Sequence, residues 1–438
     1  MSDSSIDSLF DSQGKRAFAL PTGAFPDPAT TPIDDIDVSD SRLYQQDAWR
    51  PYFERLRHED PVHYTRDSPF GAYWSITRHK DIMHVETHPE VFSSFPTIAI
   101  GDSPNEEYIE NFIAMDPPRH DQQRKTVTPV VAPRNLSLLE PVIRGHAADI
   151  LDALPADGVE FDWVDSVSIE LTTRMLATLF DFPFEDRRKL TYWSDISIGS
   201  PETTGMDEAY SREEVQAGLT DLANTFMGLW AERAAMDPAG RTDLISMLAH
   251  SEDTRDMINR PLEFLGNIML LIVGGNDTTR NSISGGVLAL NQFPDEYEKL
   301  RRDTTLIPNM VSEIIRWQTP VLHMRRTVKS DYEYEGKTFR AGDKVVLWYI
   351  SGNRDESAHD DPDRLIIDRK TARQHVSFGF GVHRCMGNRL AEMQLRIVWE
   401  EITQRFHTVE VTGEPVRNRS NMIRGYRELP VRLHRHRR

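Results

Sequence analysis

The sequence predicts a mainly α-helical chain with small β-sheets. Three observations carry that expectation. Between residues 136 and 293 apolar residues recur at helical spacing in one segment after another. Strand-like alternation is confined to short stretches: Val62-His-Tyr, Tyr73-Trp-Ser-Ile, Asp331 to Gly336 and Lys344 to Ile350. Composition is that of a globular protein with a sizeable core, 39% hydrophobic and 27% charged, without internal repeats or low-complexity tracts. Length alone, 438 residues, would suggest about three domains at roughly 150 residues each.

Charge and cysteine usage narrow the function class. A formal net charge of −18 makes the chain a poor partner for DNA, RNA or anionic lipid. One cysteine excludes an internal disulfide and fits a reducing compartment. The first ten residues are polar and acidic, unlike a signal peptide. No apolar run reaches the roughly 18 residues of a membrane span. The longest, Leu262 to Val273, is interrupted by Glu263 and Asn267. The expectation is a soluble, cytoplasmic protein with no membrane anchor.

Taken in order, residues 1–44 are rich in Asp, Ser, Pro and Thr and read as an irregular arm over the surface. Trp49 to His58 has a short helical pattern, and the two strands that follow form a hairpin around Asp67-Ser-Pro-Phe-Gly71. Asp81 to Thr87 reads as a helix stopped by Pro89. Residues 90–113 are a long, partly apolar loop of the kind that serves as a lid, with Phe95 and Ile98 among its apolar residues. The prolines of Met115-Asp-Pro-Pro-Arg-His start a helix just before His120, and His120 and Arg124, four apart, share one face. On spacing alone that face could equally be a solvated basic one. Helices follow at Leu136 to Leu154, Ser166 to Leu179, Arg212 to Ala235 and Asp243 to Ala249.

Arg260 to Phe293 reads as one long helix. Its middle, Leu270-Leu-Ile-Val-Gly-Gly-Asn-Asp-Thr-Thr279, holds two adjacent glycines that each cost about 1 kcal/mol against Ala. They imply a groove or the close approach of another body, beside an acid and an alcohol, Asp277 and Thr278. Glu313 and Arg316 form a one-turn pair that says little alone. The chain ends in a turn carrying Met422 and Ile423 and a basic tail, residues 434–438, read as frayed.

The stretch richest in chemistry is Phe378-Gly-Phe-Gly-Val-His-Arg-Cys-Met-Gly387, which holds Cys385. Leu390, Ala391, Leu395, Ile397 and Val398 then recur at helical spacing, so a helix begins beside the cysteine. Its free amides and dipole favour an ionised sulfur. A free cysteine is more often a small buried hydrophobe. Six defined positions around this one match by chance on the order of once in a million chains of this size.

This stretch resembles the heme-ligand loop of the cytochrome P450 family. The resemblance covers about residues 45–433 and implies one large, mainly α domain with small β pieces rather than several domains. It implies heme b (iron protoporphyrin IX) as cofactor, with Cys385 as the axial thiolate and metal ligand and with Phe378, His383 and Gly387 in the same loop. Many members carry Arg where His383 stands. His120 and Arg124 match the helix whose two cations hold a heme propionate. Arg326, with Arg325 as rival, matches the strand arginine that does the same. Gly274-Gly-Asn-Asp-Thr-Thr279 resembles the oxygen-activation motif, in which the acid and alcohol, here Asp277 and Thr278, supply protons; Gly274 replaces the commoner Ala. Glu313 and Arg316 match the buried Glu-x-x-Arg pair, with Arg364 of Pro362-Asp-Arg-Leu365 as its third member and Leu in place of the usual Phe. The resemblance also implies a substrate pocket bordered by Phe95, Ile98, Leu271, Gly274, Val321, Leu322, Met324, Met422 and Ile423.

The expected activity is monooxygenation, inserting one atom of O2 into an unactivated C–H bond. No flavin or NAD(P) motif is present, so electrons are expected from a ferredoxin and its reductase, docking on Arg119, Lys125, Arg384 and Arg389. The segments 274–286, 313–320 and 325–327 look like those of bacterial alkane and fatty-acid terminal hydroxylases, which implies an alkane or fatty-acid substrate of medium to long chain and a monomeric enzyme. Alternatives are a steroid or terpene hydroxylase, a fatty-acid peroxygenase (whose relatives lack the acid–alcohol pair), a non-catalytic heme sensor and a heme-free cysteine hydrolase.

Overall fold

The computed structural model describes residues 22–103, 108–198, 204 and 210–436. Helices dominate. In chain order they are α1 (Ser41–Gln45), α2 (Arg50–Glu59), α3 (His79–Glu86), α4 (Arg119–Val127), α5 (Pro133–Asp152), α6 (Glu170–Phe180), α7 (Arg188–Ser197), α8 (Arg212–Ala234), α9 (Leu244–His250), α10 (Pro261–Gln292), α11 (Pro294–Arg302), α12 (Ile307–Gln318), α13 (Tyr349–Gly352) and α14 (Asn388–Arg405). The long helix α10 runs through the middle. Its apolar residues Phe264, Leu265, Ile268 and Ile272 join one core with α6 to α9, and Ile283, Val287 and Leu290 join a second core with α5, α12 and α14.

Strands are few and short, and the largest sheet has five: β1 (Val62–Thr65), β2 (Tyr73–Ile76), β3 (Phe92–Ser93), β5 (His323–Val328) and β8 (Lys344–Trp348), in the order β1-β2-β8-β5-β3. β1 and β2 form the expected hairpin, Val62 opposite Ile76. β8 pairs with β5 rather than with the strand before it. The segment at 331–336 instead forms its own hairpin, β6 (Tyr332–Tyr334) with β7 (Lys337–Phe339). In β5 the side chains alternate. Arg326 lies opposite Val345 on one face, and Arg325 lies opposite Val346 on the other. That alternation decides which arginine reaches the site.

Where they are described, the two terminal regions are more integrated than their composition suggests; residues 1–21 of the expected arm and 437–438 of the tail lie outside the described residues. Residues 33–44 are not a loose surface arm: Ile36, Val38, Leu43 and Tyr44 are at most 2% exposed and pack with Trp49, Phe53, Leu322 and Trp348. The basic tail is not frayed where it is described. β12 (Pro430–Arg435) pairs with β4 (Glu160–Asp162) and with β9 (Phe406–Val411), placing His434 opposite Thr408 and Arg435 opposite Phe406, and β10 (Val416–Arg417) pairs with β11 (Tyr426–Glu428). Among the described residues no helix is long and apolar enough to cross a membrane.

Candidate functional site

The cysteine loop leaves the core at Val376 and returns at α14. Gly379 and Gly381 both take φ +65°, and a Cβ at Gly381 would sit 2.2 Å from the Glu86 carbonyl oxygen. Only glycine fits that position. The Cys385 amide donates to the Phe378 carbonyl at 2.7 Å and closes the loop. The Phe378 ring lies 5.1 Å from His375. Gly387, at φ −82°, has an ordinary backbone and stands beside the sulfur. The Cys385 thiol carries accessible surface, yet the surrounding protein desolvates it enough to push its pKa up. The amides of Gly387 and Asn388 and the charges of Arg124 and Arg384 pull the other way and do not prevail. The expected pull of the helix amides toward an ionised sulfur is therefore present but outweighed by desolvation in the polypeptide alone; a coordinated metal deprotonates a thiol outright.

Next to the loop the structure gathers four nitrogen-bearing side chains. His120, 1% exposed on α4, meets His383 with ring centroids 4.3 Å apart. Its Nδ1 pairs with Asp121 at 2.7 Å, while its Nε2 and both ring nitrogens of His383 are buried without a hydrogen-bond partner. Burial, then Arg326, His120 and Arg124, pushes His383 down to about 2. Arg124 donates to the Arg384 carbonyl at 2.5 Å. Arg326 donates to Glu86 at 3.1 Å and to the Arg325 carbonyl at 2.9 Å. Arg325 is elsewhere, 2.6 Å from Asp102 and facing the carbonyls of Ile100 and Gly101. Buried, unpartnered imidazole nitrogens beside two guanidiniums suit a ligand with carboxylates.

On α10 the adjacent glycines differ. A Cβ at Gly275 would sit 2.7 Å from Leu176, whereas one at Gly274 would meet nothing within 4 Å, and Gly274 is exposed in the middle of a central helix. Gly275 serves packing; Gly274 faces open space. The half-buried Thr278 donates from Oγ1 to the Gly274 carbonyl at 3.0 Å. Asp277 is fully buried and has separate partners: the Ser194 hydroxyl on α7 and the Arg280 guanidinium, which also holds Asp195 at 2.8 Å. Burial raises the Asp277 carboxyl to about 6, with Arg280 opposing and Asp195 adding to the rise. Sequence reading missed Ser194, Asp195 and Arg280; only Arg280, three residues on from Asp277, left a local signal.

Glu313 and Arg316 are both fully buried and pair at 2.8 Å. Their third member is corrected. Arg369, not Arg364, donates to Glu313 at 2.9 Å. The Arg364 side chain is about half exposed and lies 3.8 Å from Asp361; it contributes only its carbonyl, which accepts from Arg316 and Arg369 at 2.9 and 3.0 Å. The chain turns at Asp361, φ +47°, and again where the Arg369 amide donates to the Ile366 carbonyl at 3.0 Å, and the arginine left buried is Arg369.

A linalool 8-monooxygenase from Pseudomonas putida is 36% identical over 417 residues, 91% of this chain and 98% of that protein. This chain belongs to the cytochrome P450 family. The family's model, described as Cytochrome P450, matches residues 211–425. A methyl-branched lipid omega-hydroxylase from Mycobacterium bovis is 31% identical, covering 92% of this P450 and 96% of that one. The solved structure of cytochrome P450-153 from Novosphingobium aromaticivorans superposes with a TM-score of 0.84 at 48% identity, covering 91% and 99% of the two chains. The fold is the single cytochrome P450 domain, and the protein is a monooxygenase whose cofactor is heme b held by a cysteine thiolate.

The residues of this P450 fit that group. It has one cysteine, which keeps accessible surface, and unpartnered buried nitrogens wait beside it. Bound there, heme supplies the activation of O2. Of the expected pocket residues, Phe95 is 58% exposed, and Ile98, Leu271, Gly274, Val321, Met324 and Met422 all keep accessible surface. Two do not. Leu322 is wholly buried in the cluster with Ile100 and Trp348, and its amide donates to the Met422 carbonyl. Ile423, 4% exposed, is bridged to Val321.

Proposed function

We propose that this cytochrome P450 hydroxylates the terminal carbon of medium- to long-chain alkanes or fatty acids, with electrons from a ferredoxin and its reductase. The observation that carries the reading is the character of the substrate side. Leu271, Gly274, Val321, Met324 and Met422 offer apolar surface, while the neighbouring cations Arg325 and Arg326 are engaged by Asp102 and Glu86. An apolar channel suits a hydrocarbon chain and distinguishes lengths by only about 1–3 kcal/mol per methylene. The relative named methyl-branched lipid omega-hydroxylase supports terminal oxidation. The relative named linalool 8-monooxygenase supports the terpene alternative.

In this reading Cys385 ligates the iron, with Phe378 and Gly387 flanking the sulfur. His120, Arg124, Arg326 and His383 bind the propionates. Glu313, Arg316 and Arg369 fix the segment before the cysteine loop. Thr278 holds a proton at Oγ1 on the open side of α10, and Asp277, raised to about 6, draws on Ser194 and the Arg280–Asp195 pair as its route to solvent. Asp277 must turn from those partners to serve Thr278. For electron entry, Lys125, Arg384 and Arg389 are exposed around the cysteine loop, beside a largely apolar depression of about 560 Å3 lined by Asp121, Arg124, Lys125, Thr128, Pro129 and Ala132. Arg119 contributes less, being paired with Glu110 and Glu263.

The test adds octane, dodecanoate, linalool and a steroid in turn to the ferric protein and follows the Soret band, then identifies products in a ferredoxin-supported reaction. The reading expects the largest shift from octane or dodecanoate and oxygen at the terminal carbon. A shift with linalool or the steroid alone would replace it.

A further inference from the structure

Glu86 is the last residue of α3 and only 4% exposed. A carboxylate there is unfavourable twice over. It sits at the negative end of a helix, and it is taken out of water. What holds it is unusual for a structural acid. One oxygen accepts from Arg326 at 3.1 Å, and the other accepts from the buried Tyr349 hydroxyl. Its carboxylate lies 3.5 Å from where a Gly379 Cβ would be, and its carbonyl oxygen abuts Gly381. Glu86 thus touches both the cysteine loop and the strand arginine while belonging to neither. Two of the five Arg326 donors are engaged, by Glu86 and by the Arg325 carbonyl, leaving three for another acceptor.

This arrangement has an electrostatic consequence. Arg326 is paired with Glu86 inside the protein, 3.1 Å apart, so its charge is divided between that carboxylate and any further acceptor it reaches. Heme brings two propionates, and Glu86 adds a third, buried carboxylate that competes for this guanidinium. We propose that Glu86 is a redox-tuning positioning residue: it shares Arg326 with the heme propionates and adds a buried negative charge beside the heme, which favours the oxidised iron. The Tyr349 hydroxyl tempers that charge by donating to it. Burial and the Glu86 charge hold the phenol protonated, its pKa well above the ordinary value, so it remains a donor.

The experiment measures the one-electron midpoint potential of heme-loaded Glu86→Gln, Glu86→Asp and Tyr349→Phe proteins, with heme release to apomyoglobin as a second readout. Glu86→Gln keeps the shape and removes the charge. It is expected to raise the ratio of reduced to oxidised protein at fixed potential by about tenfold, ~59 mV for a one-electron couple. Glu86→Asp keeps the charge and should stay within about twofold of the parent. Tyr349→Phe uncovers the charge and should shift the ratio about two- to threefold the other way, with heme release unchanged. Equal shifts for Gln and Asp would mark a purely structural role and overturn the proposal, as would an unchanged potential in Gln. Should Glu86→Gln fail to retain heme, the decision passes to Tyr349→Phe, where the absence of a downward shift overturns it. The reduced carbonyl spectrum of each variant reports separately whether thiolate ligation survives.

Discussion

Replacing Arg369 by Ala is expected to destabilise the protein far more than replacing Arg364, although Arg364 stands in the place that the family pattern assigns to the third member of the buried network. The Arg369 side chain is 4% exposed and donates to both Glu313 oxygens, at 2.9 and 3.1 Å. It also donates to the carbonyls of Asp360, Asp361 and Arg364. Removing one partner of a buried ion pair costs about 3–5 kcal/mol. Glu313 keeps Arg316, which argues for the lower end, about 3 kcal/mol. Arg364→Ala removes a side chain that is about half exposed, with one pairing at 3.8 Å, and should cost under about 0.5 kcal/mol. At about 2.1 cal/mol/K per residue, 438 residues unfold with an entropy near 0.9 kcal/mol/K, so Arg369→Ala should lower Tm by roughly 3 °C and Arg364→Ala by less than ~1 °C. Heme-loaded proteins would be melted side by side, following far-ultraviolet circular dichroism and the Soret band. A larger loss in Arg364→Ala, or equal losses, would refute the assignment.

Three further outcomes follow from α10. Thr278→Ala should fold and bind heme normally but consume electrons without matching product, read as the ratio of hydroxylated substrate to reductant used; unchanged coupling would remove Thr278 from proton delivery. Asp277 has its pKa raised from 3.8 to about 6 in the folded state, mainly by burial. The folded form therefore holds the proton more tightly than the unfolded chain, a contribution full below about pH 3.8 and lost as pH rises through about 6. Asp277→Asn should flatten the stability profile between pH 4 and 6, and an unaltered slope in denaturant titrations would contradict the burial argument. Gly274→Ala should be tolerated or stabilising by up to about 1 kcal/mol, whereas Gly275→Ala must first displace the Leu176 methyl, 2.7 Å from the added Cβ, and should come out less stable than Gly274→Ala; the reverse order in thermal melts would mean that the two faces of α10 are misassigned.

What was legible in the sequence was mostly local. The cysteine loop, the His120–Arg124 spacing, the long central helix and the Glu313–Arg316 turn each depend on residues within a few positions of one another. What stayed hidden was set by pairing across the fold. Glu86 meets Arg326 across 240 positions, and Ser194 reaches Asp277 from a helix that the chemistry-bearing motifs did not point to. Arg369 takes the place expected of Arg364 by pairing with Glu313 from 56 positions away, which no periodicity records. The N-terminal segment reads as polar because its apolar residues are few, but Ile36, Val38, Leu43 and Tyr44 all go inward. Leu322 looked available because its strand passes the site, but its side chain packs inward with Ile100 and Trp348. The thiol of Cys385 marks the limit of reasoning from a helix dipole alone, since desolvation outweighs the amides that face the sulfur.

The central claim is that Cys385, as thiolate, holds the iron. The most direct measurement is the absorption spectrum of the dithionite-reduced carbonyl adduct, taken for the parent and for Cys385→Ser. A strongly red-shifted, thiolate-type Soret band in the parent that disappears in the serine variant is the predicted result. An imidazole-type band in the parent, or a thiolate-type band that survives the substitution, would contradict it.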